Sequence, residues 1–85
     1  MAEEQVGMVM KFFSKPSVAA VEVTGGGIRQ GDLLRFKGHT TEFTEVAASI
    51  EVDNKPVEEA KAGDLIGIKV KERVREGDRV YKVAD

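Results

Sequence analysis

Residues 60–70 read AKAGDLIGIKV, and this stretch decides the fold. At Gly63-Asp64, glycine accepts positive φ without steric cost and the aspartate can hydrogen-bond nearby backbone, so the step is a tight turn. Beyond it Ile66, Ile68 and Val70 alternate with Leu65 and Lys69, the period of a β-strand. Gly67 within that run marks a bend or a close backbone approach. The same step recurs at Gly31-Asp32, ahead of Leu33-Leu34, and at Gly77-Asp78, ahead of Arg79-Val80. Each follows a short polar approach: Arg29-Gln30, Lys61-Ala62 and Arg75-Glu76. Three such corners in 85 residues describe a small all-β domain.

The remaining segments read the same way. Gln5–Ser14 is a strand with Val6, Met8, Met10 and Phe12 on one face and Val9 and Phe13 on the other. Lys15-Pro16-Ser17 is a turn, and Val18–Thr24 completes an antiparallel hairpin. Gly25-Gly26-Gly27 breaks the chain. No Gly-Lys-Ser/Thr and no helical pattern follow, so the run reads as a flexible turn or bulge rather than a phosphate-cradling P-loop. Asp32–Lys37 places Leu34 and Phe36 on one face. Glu42–Asp53 reads as one strand, with Val46, Ala48, Ile50 and Val52 inward. Val57–Ala60 is either a helical turn or a short edge strand. Lys71–Glu76 is a charged connection, and Arg79–Val83 is the last strand. About six strands with frequent corners predict a closed barrel, because closure leaves no exposed edge.

Composition narrows the function. Residues 1–85 form a single domain with one modest core, residues 1–4 being a disordered N-terminus. The chain has no cysteine, which excludes disulfides, thiolate metal sites and cysteine nucleophiles. The polar, acidic start is no signal peptide and no apolar run spans a membrane, so the expected location is cytoplasmic with no membrane partner. Net charge is −2, distributed unevenly: residues 42–66 hold two basic and seven acidic groups, residues 67–85 six basic and four acidic. That acidic middle argues against cationic coating of nucleic acid over the whole surface. His39 is the only histidine, too few partners for a metal site or a nucleophile–base–orienter set. Asp32, Asp64 and Asp78 are explained by their turns. No catalytic residue, metal or cofactor is expected. The binding candidates are cationic: Lys69, Lys71, Arg73 and Arg75, with Lys69, Lys71 and Arg73 at period two, joined by Lys37 and His39 from another loop. Tyr81 and Phe43 offer stacking surfaces of the kind single-strand binders place beside cations.

The order TGGGIRQGDLLRFKG (24–38), a Thr-rich loop, VAASIEVDNKPVEEAKAGDLIGIKV (46–70) and VREGDRVYKV (74–83) resembles the translation-protein β-barrel, domain 2 of elongation factor Tu and its relatives. It is most similar to the barrel at the C-terminus of collagenase-like peptidases, a group also associated with RNA modification. The resemblance covers residues 5–83, and its most specific pieces are Ser49-Ile50-Glu51 and Ala60–Ile68. It implies a six-stranded Greek-key barrel of the translation-factor domain 2 type. At the pocket that holds the tRNA end in elongation factor Tu, Glu51 matches, whereas Asp53 and Asn54 stand where an aromatic and a basic residue are expected. The barrel stands alone here, so no GTP is expected, because no GTPase domain is present.

These readings lead to a non-catalytic, translation-factor-like binding module contacting RNA, the ribosome or a protein of the translation or RNA-modification machinery. The alternative is a protein-docking adaptor that acts in trans with a collagenase-like peptidase. A small enzyme is the third reading. All require β structure, so circular dichroism is expected to show strand content well above helix content, and a helix-dominated spectrum would contradict the fold.

Overall fold

The computed structural model describes residues 2–84, with side chains from Glu3 to Val83. Among these residues there are ten strands and no helix: β1 (Ala2–Phe13), β2 (Val18–Val23), β3 (Ile28–Arg29), β4 (Leu33–Lys37), β5 (Glu42–Val46), β6 (Ile50–Val52), β7 (Lys55–Val57), β8 (Glu59–Ala60), β9 (Leu65–Lys69) and β10 (Arg79–Ala84). Eight form one sheet in the order β5-β4-β10-β1-β2-β9-β6-β7, and β3 pairs with β8 in a separate ribbon. Every pairing is antiparallel. β1 takes in residues 2–4, read from the sequence as a disordered start, and pairs them with Ala84, Val83 and Lys82; Met1 lies outside the described residues.

The all-β class stands. The closed barrel of six strands is not found among the described residues, because pairing stops at β5 and β7, the two edges of the sheet. Both edges are short and polar, with Glu42 and Glu45 on one and Lys55 and Pro56 on the other, which discourages further strand addition. Among the described residues, only the two-stranded β3–β8 ribbon lies outside this sheet, and it adds Ile28 and Ala60 to the core. The sheet therefore curls around its own core, and one buried cluster joins Phe43 of β5 to Val80 of β10, Val9 of β1, Val21 of β2, Ile68 of β9 and Ile50 of β6. Phe36 and Phe43, cross-strand partners, stack with centroids 5.0 Å apart, a contact that adds to area burial alone.

The three Gly-Asp corners are built alike. Gly31, Gly63 and Gly77 take φ of 97°, 98° and 88°, as the third position of a type II turn requires. In each, the aspartate N–H donates to the carbonyl three residues back: Asp32 to Arg29 at 3.0 Å, Asp64 to Lys61 at 2.9 Å, Asp78 to Arg75 at 3.1 Å. Its carboxylate accepts from that same residue's N–H, at 2.8, 2.9 and 2.8 Å. Each corner then grips one buried residue of another segment. Gly31 N–H donates to Ala47 O (2.9 Å) and Ala47 N–H to Asp32 O (2.8 Å). Gly63 and Asp64 hold Val23 in the same way (2.7 and 2.9 Å), and Gly77 and Asp78 hold Val9 (2.8 and 2.7 Å).

Two expected strand faces are corrected. In β1 the residues turned toward the core are Val6, Val9 and Phe12, spaced by three, while Met10 is 47% exposed. Register shifts between Gln5 and Gly7 against β10, and between Val9 and Lys11 against β2, account for this; each bulge inserts a residue and rotates the strand. The expected single strand Glu42–Asp53 is split. Ala47 is buried, and Val46 and Ala48 are exposed, because the corner at Gly31-Asp32 captures Ala47 and the chain leaves β4 to pair with β9. Val57–Ala60 supplies β7 and β8 rather than a helical turn.

The glycines of the corners are required by backbone conformation and not by space: a Cβ on Gly63 would meet nothing within 4 Å. Gly63→Val is expected to lower the free energy of unfolding by about 1–3 kcal/mol, the usual cost of a strained backbone position. Chemical denaturation measures this, and an unchanged midpoint would show that positive φ at residue 63 is dispensable.

Candidate binding site

Lys37 and Arg79 sit directly opposite one another where β4 pairs with β10. Arg79 and Tyr81 share the outer face of β10, since the intervening Val80 is buried. Together with Gly38, His39 and Gly77 they line a cleft of about 370 Å³. The loop that carries His39 is fixed at both ends. Gly38 N–H donates to the carbonyl of buried Thr41 at 2.7 Å. Asp78, 4% exposed, lies so close beneath Gly38 that an added Cβ would collide with its carboxylate. The third Gly-Asp corner thus supports one wall of the cleft.

The electrostatics beside the cleft are asymmetric. Arg35, opposite Tyr81, binds Glu3 at 2.9 Å and also Glu42. These partners, Glu3 foremost, raise the Arg35 pKa above its ordinary value. Lys82 pairs with Asp32 at 3.4 Å and Arg29 with Glu59 at 4.0 Å. Among the described residues, no ion pair engages Lys37, Arg75 or Arg79.

The six residues singled out from the sequence stand on different elements of the fold. Lys37 and His39 line the cleft, and Arg75 opens the corner whose Gly77 lines it. Lys69 lies opposite Val18 at the end of β9, which β1 and β2 separate from β10. Lys71 is tied by its backbone N–H to the Glu45 carboxylate at 2.7 Å. Arg73 precedes Val74, which is 1% exposed. Lys69, Lys71 and Arg73 are all exposed, with Val70 buried between the first two, while β9 itself ends at Lys69. Phe43 is buried against Phe36 and offers no stacking surface; Tyr81 does. Arg79, another basic residue of the C-terminal part, lines the cleft beside Tyr81.

A second, larger depression of about 510 Å³ lies across β2, β9 and β6. Its floor is made by the cross-strand partners Ala20 and Gly67, whose lack of bulk leaves the hollow. Phe13 and Leu65 wall it and are 44% and 58% exposed. Glu51 and Asp53 give it an acidic rim, and the hairpin turn that carries Asp53 is held by positive φ at Asp53 and Asn54 (52° and 64°).

Residues 3–82 match the family described as elongation factor Tu domain 4. The chain belongs to that family. The translation-factor resemblance therefore holds at the level of the family, with domain 4 in place of domain 2. Over 78 residues the chain is 41% identical to an uncharacterized protease of Methanocaldococcus jannaschii and 36% identical to a collagenase of Porphyromonas gingivalis. Those matches take in 91% of this chain but 19% and 22% of the relatives, so it spans about a fifth of their length. Two crystal structures of the C-terminal domain of a Geobacillus thermoleovorans protein assigned to the U32 peptidases share the fold. Their TM-scores are 0.87 and 0.88 at 23% identity, covering 93% and 95% of this chain and 99% and 93% of theirs.

Like charges directly opposite in a sheet destabilise it, and opposite charges there contribute roughly 0.2–1 kcal/mol. Arg79 has Lys37 and Met8 as its cross-strand neighbours. Arg79→Glu is therefore expected to raise stability by about 0.2–1 kcal/mol, read as a higher denaturation midpoint. A lower midpoint would show that Lys37 and Arg79 do not repel in the folded protein.

Proposed function

We propose that this chain is a non-catalytic docking domain that works with a collagenase-like peptidase. The observation that carries the reading is the relationship to proteins named protease and collagenase, in which the matching segment is only about a fifth of the length. The fold shared with the C-terminal domain of a U32-assigned protein points the same way. The non-catalytic part rests on how the polar groups are used. Asp32, Asp64 and Asp78 are occupied as turn acceptors, and His39 stands alone in an exposed loop.

The finer architecture assigned here is a Greek-key barrel in which the β3–β8 ribbon serves as the seam. What supports it is the single core shared by all parts of the sheet, together with the bond from Gln30 N–H to Glu58 O at 2.8 Å. A barrel stitched in this way is a rigid platform. The depression walled by Phe13 and Leu65 presents exposed apolar side chains on it, the residue type that anchors protein interfaces.

The test is calorimetric titration of the chain with a U32-type catalytic domain stripped of its own C-terminal domain. Stoichiometric binding is expected, weakened about tenfold or more by Phe13→Ala with Leu65→Ala, as for central apolar anchors, at an unchanged melting temperature. Absence of heat and of co-elution would overturn the docking reading. Binding that survives the double substitution would move it to another face.

A further inference from the structure

We propose that the cleft between Lys37 and Arg79 binds a segment of single-stranded nucleic acid, with one backbone phosphate between the two cations and one base against Tyr81. This face is distinct from the depression assigned to protein docking, and the inference is independent of that reading.

The first argument is electrostatic. A register that sets Lys37 against Arg79 is unfavourable by itself. The chain has a neutralising group within reach, since Glu42 lies directly opposite Lys37 on β5. That carboxylate is instead bound to Arg35, which also takes Glu3. Arg35 thus withdraws both nearby carboxylates from the cleft. Asp78 lies buried beneath Gly38 at the cleft wall, its Oδ2 accepting from the Arg75 N–H at 2.8 Å; Glu76 remains as an exposed carboxylate beside Gly77. Lys37, Arg79 and the adjacent Arg75 are left as a local positive field on a chain whose net charge is −2. An anion between the two cations relieves their repulsion.

The second argument is shape and chemistry. The cleft volume of about 370 Å³ lies at the low end of ligand pockets, about 300–1,000 Å³, and suits one nucleotide residue better than a folded partner. Tyr81 lines it beside the cations. A ring next to a cationic groove is the recurring device for single strands, in which a base stacks while Lys and Arg track the backbone. An acidic peptide would satisfy the cations but leave the ring unused. Around Gly77 there is nothing within 4 Å of where a Cβ would stand, so a polymer backbone can pass. The acidic segment elsewhere confines contact to this cleft, so the site is short and few phosphates are engaged.

The molecule supplies its own probe. Tyr81 is the only tyrosine and there is no tryptophan, so intrinsic fluorescence reports the cleft directly. Titration with hexauridylate at low salt is expected to quench Tyr81 saturably. The logarithm of affinity should fall against that of salt with a slope of about −0.7 for each phosphate contact on a single strand. Lys37→Gln with Arg79→Gln should weaken binding about tenfold or more and flatten that slope, whereas Lys71→Gln with Arg73→Gln should change neither. Thermal melting of each variant establishes that it is folded. Failure to quench, or equal loss in the Lys71/Arg73 pair, overturns the site. Uridine monophosphate binding as tightly as the hexamer overturns the assignment to a strand, and hexaglutamate binding as tightly overturns it in favour of an acidic peptide.

Discussion

Each Gly-Asp corner of this protein makes two attachments with the same two residues. The aspartate closes the turn on itself through its N–H and its carboxylate, and the glycine N–H and aspartate carbonyl then hold one buried residue of another segment. The residues held, Ala47, Val23 and Val9, lie at the places where strands end or bulge. A turn residue of ordinary φ would point that N–H elsewhere, and both attachments would fail together. A typical hydrogen bond contributes only about 0.5–1.5 kcal/mol net, but here the bonds also decide which way each strand faces. A sheet accompanied only by a two-stranded ribbon depends on that choice, because one misdirected strand exposes its apolar side.

The consequences reach the surface. Holding Val9 at the third corner sets the β1 bulge, which brings Phe12 against the core and leaves Met10 and Phe13 outside. Phe13 then becomes a wall of the apolar depression. The same corner places Asp78 under Gly38 and so shapes the loop that carries His39 beside Lys37 and Arg79. Both surfaces therefore inherit their geometry from backbone hydrogen bonds made in the interior.

The two surfaces differ in the chemistry they offer. One is apolar with an acidic rim and lies on the part of the sheet formed by β2, β9 and β6. The other is cationic with one aromatic ring and lies on β4 and β10. Beside the cationic surface, Arg35 binds the carboxylates of Glu3 on β1 and Glu42 on β5. A protein is proposed for the first face and a polyanion for the second.

Local chemistry was enough to establish the all-β class, the three corners and the inward faces of β4 and β9, because turn preference and period-two alternation are properties of neighbouring residues. Leu34, Phe36, Ile66 and Ile68 are buried as that alternation requires. Facing in β1 and around Ala47 was not legible, since bulges and captured residues are set by hydrogen bonds to segments distant in sequence. The open ends of the sheet at β5 and β7 were likewise a matter of pairing across the fold. For the cationic site, residue type singled out Lys37, His39 and Arg75 but gave equal standing to Lys69, Lys71 and Arg73. Only strand register sets Arg79 opposite Lys37 and Tyr81 beside it, because a cluster of charge is a distance in space, and spacing along the chain measures it only while the chain stays regular.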